Sequence, residues 1–168
     1  MNRSEWREKK KDISLINLSH ACDYEFIVFF DSEYTCWEDS AKTFWSDPQH
    51  PAELLQIGIV IYDNYEKEFR GTYSGYVRPI INKLLSSYCK KLLGIEQQVI
   101  DNSDDFFTVS QQIRQVLSEH CKDRTIVSCC WGHLDWLLWD ENARRNNQTS
   151  PFSGVPLIDL MSSSADLL

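Results

Sequence analysis

An α/β fold with a mixed β-sheet flanked by helices is what this sequence of 168 residues predicts. Three observations carry that expectation. Residues 26–30 form an uninterrupted run of β-forming apolar side chains. Two more strand-like segments follow, joined by turn residues. Downstream, apolar residues at helical spacing alternate with short apolar runs, the pattern of βαβ crossovers.

Residues 1–24 are polar and read as a lead-in, and residues 25–168 as one domain. Phe26-Ile27-Val28-Phe29-Phe30 reads as a central buried strand that stops at Asp31-Ser32-Glu33. Residues 34–52 mix polar, Pro and aromatic residues and read as a surface loop. Residues 54–62 (LLQIGIVIY) and 68–77 form the next two strands, and Asp63-Asn64 turns them into an antiparallel hairpin. Leu84, Leu85, Tyr88, Leu92 and Leu93 recur at helical spacing until Gly94 ends the helix. Ser103 or Asp104 caps a longer helix whose apolar face is Phe107, Ile113, Val116 and Leu117. Residues 125–130 (TIVSCC) form a fourth strand, parallel to the first. Residues 135–146 are helical, and residues 155–160 make a fifth strand.

The net charge is −8. A module that holds nucleic acid by electrostatic attraction alone is usually basic, so the balance argues against that class. It argues less against a metal nuclease, where bound cations supply positive charge at the phosphate. Six cysteines follow no zinc spacing, and reduced, mostly buried thiols are expected. The first eleven residues are charged, and no apolar run approaches the roughly 18 residues of a membrane span. A cytoplasmic protein without membrane contact is the expectation.

The chemistry is carried by acids at strand ends. Asp31 and Glu33 lie two apart, so in extended chain they project to one side. Two carboxylates that close repel unless a cation neutralises them, and hard oxygen ligands suit Mg²⁺ or Mn²⁺. Spacing alone leaves a second reading open, two solvated acids in a turn. Asp135 follows the fourth strand through Trp131-Gly132-His133-Leu134 and stands at a helix N-terminus. There it is equally a ligand or a plain cap, because the helix dipole favours an acid either way.

Further residues give these acids a context. Phe30-Asp31-Ser32-Glu33-Tyr34-Thr35-Cys36-Trp37-Glu38 resembles the first motif (DFEATCWE) of the DEDD 3′→5′ exonucleases. Residues 51–58 (PAELLQIG) are similar to the PxEIIEIG strand of the branch that holds the histone-mRNA and RNA-interference-limiting exoribonucleases. Tyr76-Val77-Arg78-Pro79, then Asn82, Leu85, Ser86, Cys89, Leu92, Gly94-Ile95, Gln97, Val99 and Asp101, resemble that branch's next conserved stretch. Trp131-Gly132-His133-Leu134-Asp135 takes the place of its GDWD element. The resemblance spans about residues 22–168 and implies a ribonuclease-H-like sheet. It also implies that Asp31, Glu33 and Asp135 are catalytic and hold two Mg²⁺ or Mn²⁺ ions. Tyr34, Thr35 and Leu93 would lie at the terminal nucleotide. The implied activity is stepwise 3′→5′ hydrolysis of single-stranded nucleic acid, RNA before DNA, to nucleoside 5′-monophosphates.

The chain also departs from that pattern. DEDDh members carry a later HxxxxD segment that supplies a histidine base and a fourth acid; no such motif follows Asp135 here. The expectation is therefore a domain truncated at its C-terminus, with weak metal binding and slow turnover. Asp159 reads as a strand residue and His133 as a satisfied loop histidine. Leu93 replaces the usual Thr and Ser32 the usual apolar residue, which predicts altered substrate contacts. Tyr34, Trp37, Phe44 and Trp45 either stack on bases or pack internally. Two other functions compete: an inactive nucleic-acid-binding or regulatory protein on the same fold, and a phosphoesterase of small nucleotides.

Overall fold

The computed structural model describes residues 14–165. Five strands form one sheet: β1 Phe26–Tyr34, β2 Leu54–Asp63, β3 Glu68–Tyr76, β4 Ile126–Cys130 and β5 Leu157–Asp159. Their order is β3-β2-β1-β4-β5. β1–β2 and β2–β3 pair antiparallel, β1–β4 and β4–β5 parallel, so the mixed sheet and the expected parallel fourth strand are both present.

The first strand does not stop at Phe30. It continues through Asp31, Ser32 and Glu33 to Tyr34, because β2 extends the ladder opposite it as far as Leu54. A register shift between Glu33 and Tyr34 marks where the pairing turns irregular. β5 is shorter than expected, at three residues.

Helices α1 Ser40–Thr43, α2 Ser87–Leu93, α3 Gln97–Asp101, α4 Phe106–Cys121, α5 Leu134–Arg145 and α6 Leu160–Ala165 connect the strands. Gly94 ends α2 in the left-handed region (φ 67°), where lack of a Cβ removes the steric cost. α4 is capped by Asp105, whose side chain accepts from Thr108 N, rather than by Ser103 or Asp104. That one-residue shift turns the helix face by about 100°. Phe106 is buried in place of Phe107, which is 49 % exposed. α1 lies within the segment expected to be loop. It ends with Phe44 and Trp45 both at positive φ (54° and 48°), a costly conformation for bulky residues. Trp45 is anchored there by donation from Nε1 to Thr35 O at 2.7 Å.

One sheet face carries the main core, which includes Phe30, Ile57, Ile59, Ile113, Leu138, Trp139 and Phe152. On the other face Ile27, Val127, Cys129 and Ile158 form a smaller cluster. Ile16, Ala21 and Tyr24 pack on that cluster, and Ile16 N bonds Leu157 O at 3.0 Å. Residues 14–24, expected to be lead-in, thus belong to the folded unit; the rest of that lead-in lies outside the described residues. All six cysteines are free thiols and only Cys22 is exposed. Among the described residues no helix is long and apolar enough to cross a membrane.

Candidate active site

The end of β1 sorts its side chains by strict alternation. Phe26, Val28, Phe30 and Tyr34 enter the main core and Ser32 is buried beside them. Asp31 is exposed and Glu33 is half-buried, the two acids on the opposite side from Ser32 and Tyr34. The apolar run fixes the register of the strand, and the register delivers the acids.

The third acid arrives from β4. Gly132 (φ 85°) turns the chain in a conformation costly for other residues, and His133 takes the N-cap position of α5. Asp135 sits in the first turn of that helix. The Tyr34 hydroxyl donates to the Asp135 main-chain carbonyl at 3.3 Å, tying the end of β1 to the start of α5.

Electrostatics link the three acids. Burial, then repulsion from Asp31, pushes the Asp135 carboxyl up to about 7; a hydrogen bond with Tyr34 partly offsets this and Glu33 adds to it. Burial and the charge of Asp31 also raise Glu33. Burial, followed by the charge of Asp135, holds the Tyr34 phenol well above its ordinary value. Mutual repulsion among carboxylates is what divalent cations relieve, so the donor chemistry fits Mg²⁺ or Mn²⁺. The side chains as they stand are nevertheless spread. Among the described residues no three His, Cys, Asp or Glu side chains converge tightly enough to enclose an ion.

Beside Glu33 and Asp135 opens a pocket of about 230 Å³, walled by Trp37, Trp45, Tyr88, Leu92 and Leu93. Leu93 and Tyr34 line the same pocket as Glu33 and Asp135. Thr35 does not present its side chain there. It is 1 % exposed; its hydroxyl donates to Pro51 O (3.0 Å) and accepts from Glu53 N (3.0 Å) and Asn82 Nδ2 (3.2 Å). Its main-chain carbonyl is taken by Trp45. Of the four aromatics, Tyr34 is a core residue that also borders the pocket, Phe44 packs against the core, and Trp37 and Trp45 line the pocket, Trp45 packing against the core as well. Trp37 also packs against the His50 ring, with centroids 4.3 Å apart and the planes tilted by 47°.

Several supporting residues owe their roles to contacts that the sequence does not announce. Glu53 is buried, and its carboxylate accepts from the main-chain N–H groups of Ile80, Ile81 and Asn82 at 2.6–3.2 Å. Asn142 clamps α5 to the start of β2 by accepting from Leu54 N and donating to Ala52 O. Asp159 is indeed a strand residue, and it holds His133 and the first turn of α6 together. Ser32 is buried, accepts from Trp139 Nε1 at 2.9 Å and also borders the pocket.

Comparison with known proteins places these features in a family. The exonuclease family model, RNase_T, matches residues 28–149. The human protein 3'-5' exoribonuclease 1 is 31 % identical over 106 residues, 62 % of this chain and 29 % of that one. The nuclease domain of 3'hExo, titled a DEDDh family member bound to rAMP, superposes with TM-score 0.66 at 25 % identity, covering 76 % of this chain and 62 % of that one. A 3'-exonuclease structure titled for 3'-end specific recognition of histone mRNA stem-loop gives 0.65 at 25 % identity, covering 76 % and 55 %. The chain spans about a third of the length of the curated relatives it matches. The mixed sheet flanked by helices matches these ribonuclease-H-like structures. Divalent-metal dependence is a property the DEDDh assignment implies. With the family model covering more than half of the sequence, the chain belongs to the RNase_T exonuclease family, in its DEDDh 3'-5' branch.

Proposed function

We propose that this chain is a metal-dependent 3′→5′ exonuclease domain that removes nucleoside 5′-monophosphates from single-stranded RNA, with DNA second. One observation carries the reading: Glu33 and Asp135 line one aromatic-walled pocket, and the charge of Asp31, two residues before Glu33 on β1, acts on both. These three would hold two Mg²⁺ or Mn²⁺ ions, which when bound supply charge neutralisation at the phosphate and an activated water. The chain's own residues do the rest. Trp37 and Trp45 offer ring faces to a terminal base. Leu93 closes the pocket with an apolar wall, and Tyr34 holds the start of α5 through the Asp135 carbonyl. The relatives titled as exoribonucleases, and the one titled for histone mRNA recognition, support RNA over DNA.

Incubation with 5′-labelled single-stranded RNA and DNA tests this. Shortening from the 3′ end that requires Mg²⁺ or Mn²⁺ and is lost in Asp31→Asn, Glu33→Gln and Asp135→Asn is the expected result. A second reading, a nucleic-acid-binding protein without turnover, is favoured by the spread of the three acids. It predicts RNA binding that Asp31→Asn leaves unchanged.

A further inference from the structure

The two segments that bring the acids are bolted together by a buried hydrogen bond. Ser32 lies between Asp31 and Glu33, and its hydroxyl accepts from Trp139 Nε1 at 2.9 Å. Trp139 is one helical turn beyond Asp135 on α5, so the two share a helix face. Trp139 is fully buried, and its ring is held by Phe106 and Phe152 at 5.3 and 5.5 Å. Ser32 is 9 % exposed in the same core. A buried indole N–H needs an acceptor and a buried hydroxyl needs a partner, so one bond satisfies both. Tyr34, next on the same side of β1, makes the second tie, to the Asp135 carbonyl.

We infer that the Ser32–Trp139 hydrogen bond is a positioning device that sets the separation between the Asp31/Glu33 pair and Asp135, and with it cation affinity. This rests on the reading of those three acids as the metal site. Without that bond, only the Tyr34 tie and side-chain packing hold the strand end against α5. A shift there moves two ligands relative to the third, and small misplacements of such groups have large effects.

Mn²⁺ binding to the full chain, followed by the electron paramagnetic resonance of free Mn²⁺, tests the inference without any assay of activity. Ser32→Ala and Trp139→Phe each weaken Mn²⁺ binding on the order of 10-fold. The double variant is no weaker than either single one, because both remove the same bond. Ser32→Thr keeps the hydroxyl on a side chain suited to a strand and retains the parent affinity. Addition of Mg²⁺ shifts the Trp139 indole N–H resonance in the parent and not in Ser32→Ala, a response that loss of stability alone does not mimic. If Asp31→Asn abolishes Mn²⁺ binding while Ser32→Ala and Trp139→Phe bind like the parent, the positioning role is wrong and the metal site stands. It is equally wrong if Ser32→Thr loses as much as Ser32→Ala. If the parent binds no Mn²⁺, or Asp31→Asn binds it as well as the parent, the metal site fails and the inference with it.

Discussion

His133 Nδ1 lies 3.0 Å from Asp159 Oδ2, so the residue that opens α5 is tied to the last residue of β5. The same carboxylate accepts from Met161 N, Ser162 N and Ser162 Oγ at 2.8–3.2 Å, which organises the first turn of α6. Asp159 is 2 % exposed, and three pieces of chain meet on it.

Asp159→Ala leaves those donors without a partner and costs about 3 kcal/mol; Asp159→Asn, which keeps an acceptor oxygen, costs less. Urea unfolding monitored by circular dichroism reads both. Burial alone would raise this carboxyl, but hydrogen bonds from His133 and Ser162 hold it below its ordinary value. Its folded pKa is then lower than its unfolded one. Its contribution is therefore complete above the ordinary carboxylate range and disappears as pH falls through the folded value. Loss of acid stability that is the same in the parent and Asp159→Asn would count against this account.

Glu53 gives a second stability prediction. Its carboxylate receives three main-chain N–H groups from residues 80–82, in a turn that Asn82 also ties to Pro51 O and the Thr35 hydroxyl. Glu53→Ala leaves three main-chain donors without their acceptor, that of Asn82 buried, and costs about 2–3 kcal/mol. Glu53→Gln retains an acceptor and falls between that and the parent. Hydrogen exchange at Ile81 and Asn82 localises the effect: protection there drops before the sheet opens.

Most strands were legible as short, nearly continuous apolar runs and β3 through its β-favouring residues after a turn, and Asp31 and Glu33 because alternation forces residues two apart to one side. Asp135 was legible as an acid at a helix start, and only the resemblance marked it as a partner of the other two. What stayed hidden depends on contacts distant in sequence. Asn142 reaches Leu54 across 88 residues and Trp139 reaches Ser32 across 107, and no local pattern announces such pairs. The hydroxyl of Thr35 looked available for substrate until Pro51, Glu53 and Asn82 closed around it. The misplaced face of α4 has a local cause. Three acids or hydroxyls in a row, Ser103, Asp104 and Asp105, compete for one cap, and the neighbour chosen sets which of Phe106 and Phe107 is buried.

The contribution of Asp135 to the stability of the metal-free protein should fall as pH rises. Asp135 is raised from 3.8 to about 7, first by burial and then by Asp31. Between those values the folded state holds a proton that the unfolded chain has released, so increasing pH favours unfolding. The slope reaches about 1.4 kcal/mol per pH unit for one proton, and Glu33, also raised, adds to it in the same direction. Thermal melts in chelator from about pH 4 to about pH 7 measure it. Mn²⁺ opposes the loss, and the stability difference between the parent and Asp135→Asn falls as pH rises through this window; a difference that stays constant or rises contradicts the repulsion described.

Gly58 pairs directly with Asp31 across β1 and β2, and a Cβ placed on it would meet nothing within 4 Å. Cross-strand partners share a face of the sheet, so the space over Gly58 is the space beside the Asp31 carboxylate. A methyl there removes backbone freedom from the unfolded chain without a clash. Gly58→Ala therefore leaves stability unchanged or raises it by up to about 1 kcal/mol. Gly58→Phe is expected to fold as well, because its ring enters an apolar hollow bordered by Phe29, Val60 and Trp131. Its bulk stands where a cation or a phosphate would approach Asp31. Mn²⁺ affinity and RNA shortening should both fall by about 10-fold or more while the melting temperature holds. If the Phe variant binds Mn²⁺ and degrades RNA like the parent, substrate and metal reach the acids from the pocket side of Glu33 and Asp135 alone, and Asp31 acts only through its charge.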